Sequence, residues 1–251
     1  MYLSNLEIDY KSNKAANWIT NPYKIHQRLW MGFEKQKSEA SKPDFLYRVE
    51  EGFKQAGEPK PRILVLSNVS PLWENAFNGE EFLKGIPQIL NLNLDNFIEE
   101  ERSFRFSLKA NPTKKIKDHR SFFKKEIEGI KEEEEIKSKL DILSKSLSKE
   151  QWEKIKSKRV GIYKEPDQVD WLKRKGEQSG FAIDSLVFDK GEKETPQKKT
   201  DGKVIHNIDL LSVTFTGILR VTNAEQFKKA YVNGIGQGKA FGCGMLLLAK
   251  V

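Results

Sequence analysis

The sequence predicts an α+β protein built as two β-α-β-β-α-β units in tandem, with a charged helical connection between them. Three observations carry that expectation. Short alternating strand patterns and 3.6-period helical patterns follow one another in that order twice. The stretch between the two halves changes character to Lys and Glu, with Glu132 to Glu135 in a row. The length, 251 residues, suits one large domain or two small ones and is enough to bury a core without staples.

The first half opens with Tyr2, Leu3, Leu6 and Ile8 among polar residues, a strand over 2–10. Asn21-Pro22 reads as an N-cap followed by Pro at the first helical position. Ile25, Leu29, Trp30 and Phe33 then hold helical spacing, so a helix runs from about 22 to 36. Residues 44–51 and 61–67 read as strands, with turn chemistry between them. Pro71, Gly79, Gly85 and Pro87 break up 70–100; a short helix near 79–84 and a strand near 88–94 are expected there. Phe104, Phe106 and Leu108 alternate with Arg105, Ser107 and Lys109, a half-buried strand over 101–110.

Residues 112–158 read as one or two exposed helices joining the halves. The second half repeats the order: a strand at 159–163, a helix at 167–177, a strand at 181–188 and a long strand at 210–221. A mobile hairpin loop is expected at 190–203, a helix capped by Asn223 at 223–232, and a closing strand within 241–251. The expected domains are therefore 1–111, 112–158 and 159–251. Such an order is the ferredoxin-like arrangement that RNA-recognition modules share.

Composition narrows the function. One cysteine, Cys243, excludes an internal disulfide framework and a Cys-based zinc site, and fits a reducing cytoplasm. No apolar run is long enough for a membrane span, and the N-terminus lacks a signal-peptide core. The net charge of +8 suits a polyanionic partner. Residues 101–125 hold nine basic residues against two acids, and 154–164 hold five against none. Lys114, Lys115, Lys156, Lys158 and Arg159 are therefore candidate phosphate contacts.

Two motifs carry chemistry. Gly234, Gly236, Gly238, Gly242 and Gly244 fall within eleven residues around Lys239. That density permits close backbone approach and a phosphate cradle, though the context is neither a Walker nor a Rossmann loop. Tyr23 and His26 stand three apart at a helix start, so they share a face, and a His there can transfer protons near neutral pH. His119 and His206 read as residues without a role. Three isolated His and no D-x-D or H-x-H cluster argue against a protein-bound catalytic metal.

These motifs occur together and in order: N-P-Y-x-x-H at 21–26, R-F-S-L-K-A-N-P-T at 105–113, K-R-V-G-I at 158–162 and G-I-G-x-G-K-A-F-G-C-G-x-L from Gly234 to Leu246. In them the chain resembles the CasE (Cse3) family, the CRISPR RNA-processing endoribonucleases of type I-E systems. That resemblance implies two tandem ferredoxin-like domains and no cofactor. It implies cleavage of repeat RNA at the 3′ base of its stem-loop through 2′-OH attack, giving a 2′,3′-cyclic phosphate and a 5′-OH. It also implies that the enzyme stays on the mature crRNA and joins the other Cascade subunits. The free protein is expected to be monomeric and to bind no membrane.

On this reading His26 and Tyr23 are the catalytic pair, with His26 favoured as acid and Tyr23 as base or orienter, the roles being exchangeable. Lys239 and the glycine loop hold RNA, as do Arg105, Lys109 and the basic clusters. The alternative is a non-catalytic RNA-binding subunit of a ribonucleoprotein complex.

Overall fold

Tyr2–Glu7 form strand β1, whose inward residues Ser4 and Leu6 are fully buried. The computed structural model describes residues 1–33, 45–50, 61–78, 81–194, 197–200, 203–207 and 210–251. After β1, Ser12 caps a short helix, α1 (Asn13–Ile19), which the sequence reading missed because Ala15, Trp18 and Ile19 offer barely one apolar repeat. Helix α2 (Pro22–Met31) follows its Asn21 cap as expected; residues 34–36 of its expected span lie outside the described residues. Strands β2 (Phe45–Glu50) and β3 (Arg62–Ser67) complete the strand pair.

The segment 70–100 resolves differently from the expectation. The short helix α3 lies at Glu74–Phe77, not at 79–84, because Trp73, Ala76 and Phe77 pack on the first core; residues 79 and 80 lie outside the described residues. Strand β4 (Gln88–Asn91) falls where a strand was expected, and a turn of helix, α4 (Leu94–Phe97), follows. The first sheet has the order β2-β3-β1-β4 with every pair antiparallel, the ferredoxin-like arrangement. Ile25, Leu29 and Trp18 of the helices bury against Leu6, Tyr47, Ile63 and Val65 of this sheet.

Strand β5 (Ser103–Ala110) alternates as expected, but it does not close the first sheet. That role belongs to β4, so the expected boundary after residue 111 separates β5 from its partners. The chain next enters a separate unit, Thr113–Ile162. It contains β6 (Thr113–Lys117), α5 (His119–Phe122), α6 (Glu133–Lys145), α7 (Lys149–Lys154) and β7 (Ser157–Gly161). Here β6 and β7 pair as an antiparallel ribbon. The strand expected to open the second half at 159–163 therefore belongs to this ribbon.

Helix α8 (Glu165–Gln178), β8 (Phe181–Glu194), β9 (Gln197–Thr200), β10 (Lys203–Asn207), β11 (Leu210–Val221), α9 (Ala224–Asn233) and β12 (Leu246–Lys250) follow. The expected loop at 190–203 is strand in its described part: β8 continues to Glu194 and pairs with β11, and β9 pairs with β10. Residues 195–196 and 201–202 lie outside the described residues. The second sheet has the order β12-β5-β11-β8, again antiparallel throughout. With β5 as its first strand this is a second ferredoxin-like arrangement, interrupted by the 113–162 unit between β5 and α8. Residues 1–112 and 163–251 form one compact unit. Among the described residues, no helix is long and apolar enough to cross a membrane.

Candidate functional site

The start of α2 is fixed from three sides. The Asn21 side chain accepts from the Tyr23 and Lys24 amides at 3.1 and 3.2 Å, and Pro22 supplies the helical φ. The Trp18 indole donates to the Lys24 carbonyl at 3.2 Å. The Tyr47 hydroxyl lies 2.7 Å from the Pro22 carbonyl. Tyr23 is thus held in the first turn and His26 in the next, on one side of the helix.

His26 sits in an aromatic setting. Its ring stacks on Phe45 at 5.1 Å and lies 6.2 Å from both Tyr47 and Trp30. Its Nδ1 is sealed from solvent with no hydrogen-bond partner among the described residues. Nε2 is therefore the nitrogen that can meet a substrate. Burial pushes the imidazole below its ordinary pKa of 6.5, since the cationic form loses hydration. His26 is consequently mostly uncharged at neutral pH.

The glycine loop docks on this helix. Its 3-10 turn, Lys239–Phe241, packs against α2, and the Tyr47 hydroxyl is also 3.1 Å from the Ala240 carbonyl. The five glycines from Gly234 to Gly244 all have positive φ. At Gly234 (φ 75°, ψ 156°) a Cβ would also stand 2.8 Å from Leu46 Cδ2, and at Gly242 (φ 80°) it would stand 3.2 Å from the Tyr47 ring. Gly236 faces the Trp171 ring and Gly238 faces Leu210 in the same manner.

Several amides of the expected cradle bond within the protein. The Ile235 amide donates to Gly244, Gly242 to Lys239, Cys243 to Gly238, and Gly244 to the Lys109 carbonyl at 2.8 Å. The loop is a folded knot of turns in which Gln237 and Lys239 are exposed, Lys239 on the 3-10 turn that packs against α2. Asn111, at the end of β5, is buried and pairs with Gln237 of the loop. The 105–113 motif thereby serves to seat the loop. On β5 itself, Arg105 is exposed and Lys109 half-buried, both opposite the buried Phe104, Phe106 and Leu108.

The remaining candidates gather in the 113–162 unit. Across the β6–β7 ribbon Lys115 stands directly opposite Arg159, and Lys114 opposite Val160. Lys114, Lys115, Lys156, Lys158 and Arg159 are all exposed. Lys158 pairs with Asp118 at 2.7 Å, which holds that carboxyl below its usual range. Like charges set directly across a ribbon destabilise it unless an anion lies over them. Among the described residues there is no group of three or more His, Cys, Asp or Glu that could hold a metal ion. His206 lies in β10.

Sequence reasoning missed Tyr47 and Phe45. Both lie on one face of β2, where the F-L-Y alternation placed two aromatics together; nothing local tied that face to residue 240. The arrangement as a whole joins a neutral imidazole, a tyrosine one helical turn away and a lysine on a preorganised loop. Such a set can accept a proton, donate or orient one, and hold an anion.

Comparison with known proteins agrees with this layout. A family model described as CRISPR associated protein matches residues 1–250. The chain is 28% identical over 252 residues to the CRISPR system Cascade subunit CasE of Escherichia coli, covering 100% of both chains. It is 23% identical over 258 residues to the CRISPR-associated endoribonuclease Cse3 of Thermus thermophilus, covering 99% of this chain and 100% of that one. A structure of Thermus thermophilus Cse3 bound to an RNA representing a pre-cleavage complex shares the fold. Its TM-score is 0.68 at 22% identity, over 99% of this chain and 98% of that chain.

Proposed function

This chain belongs to the CRISPR-associated protein family that its residues 1–250 match, and from that premise we propose that it is the endoribonuclease that processes CRISPR repeat RNA. It cuts at the 3′ base of the repeat stem-loop. The observation that carries this reading is the seating of the glycine loop, with Lys239, on the helix that bears Tyr23 and His26.

The reaction is an in-line displacement. The 2′-oxygen attacks the adjacent phosphorus, the bond to the 5′-oxygen breaks, and a 2′,3′-cyclic phosphate and a 5′-OH result. One proton must leave the 2′-OH and one must reach the 5′-oxygen. A neutral His26 with Nε2 available supports the role of base toward the 2′-OH, which exchanges the assignment favoured from sequence. Tyr23, one turn away, then orients or protonates the leaving oxygen. Lys239 stabilises charge on the phosphate oxygens. Gly234, Gly236, Gly238 and Gly242 act by shaping the loop that presents Lys239.

Lys114, Lys115, Lys156, Lys158 and Arg159 hold stem phosphates from the ribbon, while Arg105 and Lys109 contact RNA from the open face of the second sheet. The enzyme acts in the cytoplasm as a monomer, needs no metal or other cofactor, keeps the mature crRNA and joins the other Cascade subunits. Incubation with a stem-loop repeat RNA in EDTA tests the reading: a single cut supports it, and binding without cleavage leaves a non-catalytic RNA-binding subunit.

A further inference from the structure

Within the 113–162 unit two large aromatic side chains, Phe122 and Trp152, face solvent, and Trp152 does so at a built position. Trp152 is 43% exposed, on α7. Its helix is short but fixed by a capping box: Ser148 Oγ accepts from the Gln151 amide at 3.3 Å, and Gln151 Oε1 accepts from the Ser148 amide at 2.9 Å. Behind the indole lies His119, with ring centres 5.2 Å apart, and the His119 ring in turn stacks on the buried Phe123 at 6.4 Å and 21°. His119 Nδ1 is buried without a hydrogen-bond partner among the described residues, so the ring is placed by stacking rather than by polar contacts. Trp152 thus has a firm aromatic backing on one side and solvent on the other.

The surroundings of this ring are cationic. The Lys117 ammonium donates to the Ile155 carbonyl at 3.0 Å, and the Asp118 amide donates to the Lys156 carbonyl at 2.9 Å. These bonds set the end of α7 against the end of the β6–β7 ribbon. Exposed Lys154, Lys156, Lys158 and Arg159 follow Trp152 in the chain; Glu150 and Glu153 are the carboxylates of α7, and Asp118 pairs with Lys158. An apolar protein surface laid over Trp152 would strip water from these cations without replacing it. A nucleotide satisfies both features at once, with a flat π-face for the indole and a phosphate for the lysines.

We propose that Trp152, backed by His119, is a stacking platform for one unpaired nucleobase of an RNA whose phosphates the β6–β7 ribbon holds. The proposal rests on the RNA-processing function above. Stacking of this kind tolerates any base.

The test compares two RNAs on the full-length protein: a repeat stem-loop with single-stranded flanks, and a blunt duplex of the same stem with no unpaired base. Trp152→Ala weakens binding of the flanked RNA by about tenfold and leaves the blunt duplex unchanged, while Trp152→Phe restores most of the affinity for the flanked RNA. The proposal is overturned if Trp152→Ala binds the flanked RNA like the unmodified protein, which would assign this face to a protein partner. An equal loss on both RNAs also overturns it, because the ribbon rather than an unpaired base is then affected. If the unmodified protein binds neither RNA, the RNA-processing function itself fails, and the platform with it.

Discussion

The Tyr47 hydroxyl stands 2.7 Å from the Pro22 carbonyl and 3.1 Å from the Ala240 carbonyl. One proton shared between those two acceptors ties the start of α2 to a loop 193 residues away from Tyr47. Because Pro22 precedes Tyr23 and Lys239 precedes Ala240, this tie sets where the lysine lies relative to the helix that carries Tyr23 and His26.

Tyr47→Phe keeps the ring in its buried place and removes only the hydroxyl. The loss of one partly buried hydrogen bond costs about 1 kcal/mol of stability. Single-turnover cleavage falls further, by about tenfold, because small misplacements of catalytic groups are costly. Chemical denaturation and quenched cleavage measured on the same variant separate the two effects; equal, small losses in both would show that the tie is only structural.

The glycine loop makes a contrast available within one compact unit. Gly234→Ala forces a side chain into positive φ and against Leu46 Cδ2 at 2.8 Å. A cost of about 2–3 kcal/mol follows from strain plus overpacking. At Gly85, whose Cβ position has nothing within 4 Å, alanine is neutral or slightly stabilising. Thermal melts of both variants check this, and a Gly234→Ala protein as stable as the parent would contradict the account of the loop.

Much of this was legible in the sequence because it is local. The Asn21 and Asn223 caps, the half-buried pattern of β5 and the span of β11 are set by neighbours a few residues apart. The partner of β5 is not local. An interrupting unit that ends in a strand, β7, offers a plausible opening strand for the second half, which leaves β5 to the first in any reading by order alone. Periodicity reports which face of a strand is buried but not which strand lies beside it. The site divided in the same way. Tyr23 and His26 could be read from helical spacing, whereas the tie from Tyr47 to Ala240 depends on tertiary pairing. The glycines announced an unusual backbone, but their need for space beside Leu46, Trp171 and Leu210 appears only in the fold.

The facing of Lys115 and Arg159 makes a prediction about salt. Arg159→Ala and Lys115→Ala each weaken RNA binding and lower the slope of log affinity against log salt by about 1. Neither lowers the melting temperature, since each relieves a like-charge pair. Binding titrations at several salt concentrations check it; an unchanged slope would remove these side chains from the RNA interface.

The depressed pKa of His26 fixes the sign of a pH effect. As base, His26 must be neutral, so cleavage is at its plateau above pH 6.5 and declines as pH falls through a midpoint below 6.5. As acid with Tyr23 only an orienter, it would have to be protonated, and the rate would instead fall as pH rises through that same midpoint. Values of kcat/KM between pH 4.5 and 8, which report the free enzyme, distinguish the two.

The most direct measurement is cleavage of a stem-loop repeat RNA from the same genome in EDTA, alongside the same RNA carrying a 2′-deoxy nucleotide at the cut and the His26→Ala protein. The account predicts one cut with a 2′,3′-cyclic phosphate end, abolished by the 2′-deoxy substitution. It predicts a rate reduced by about 10²- to 10⁴-fold in His26→Ala, with RNA binding kept. Cleavage that survives the 2′-deoxy substitution, or a His26→Ala protein that cuts at the parental rate, would contradict it.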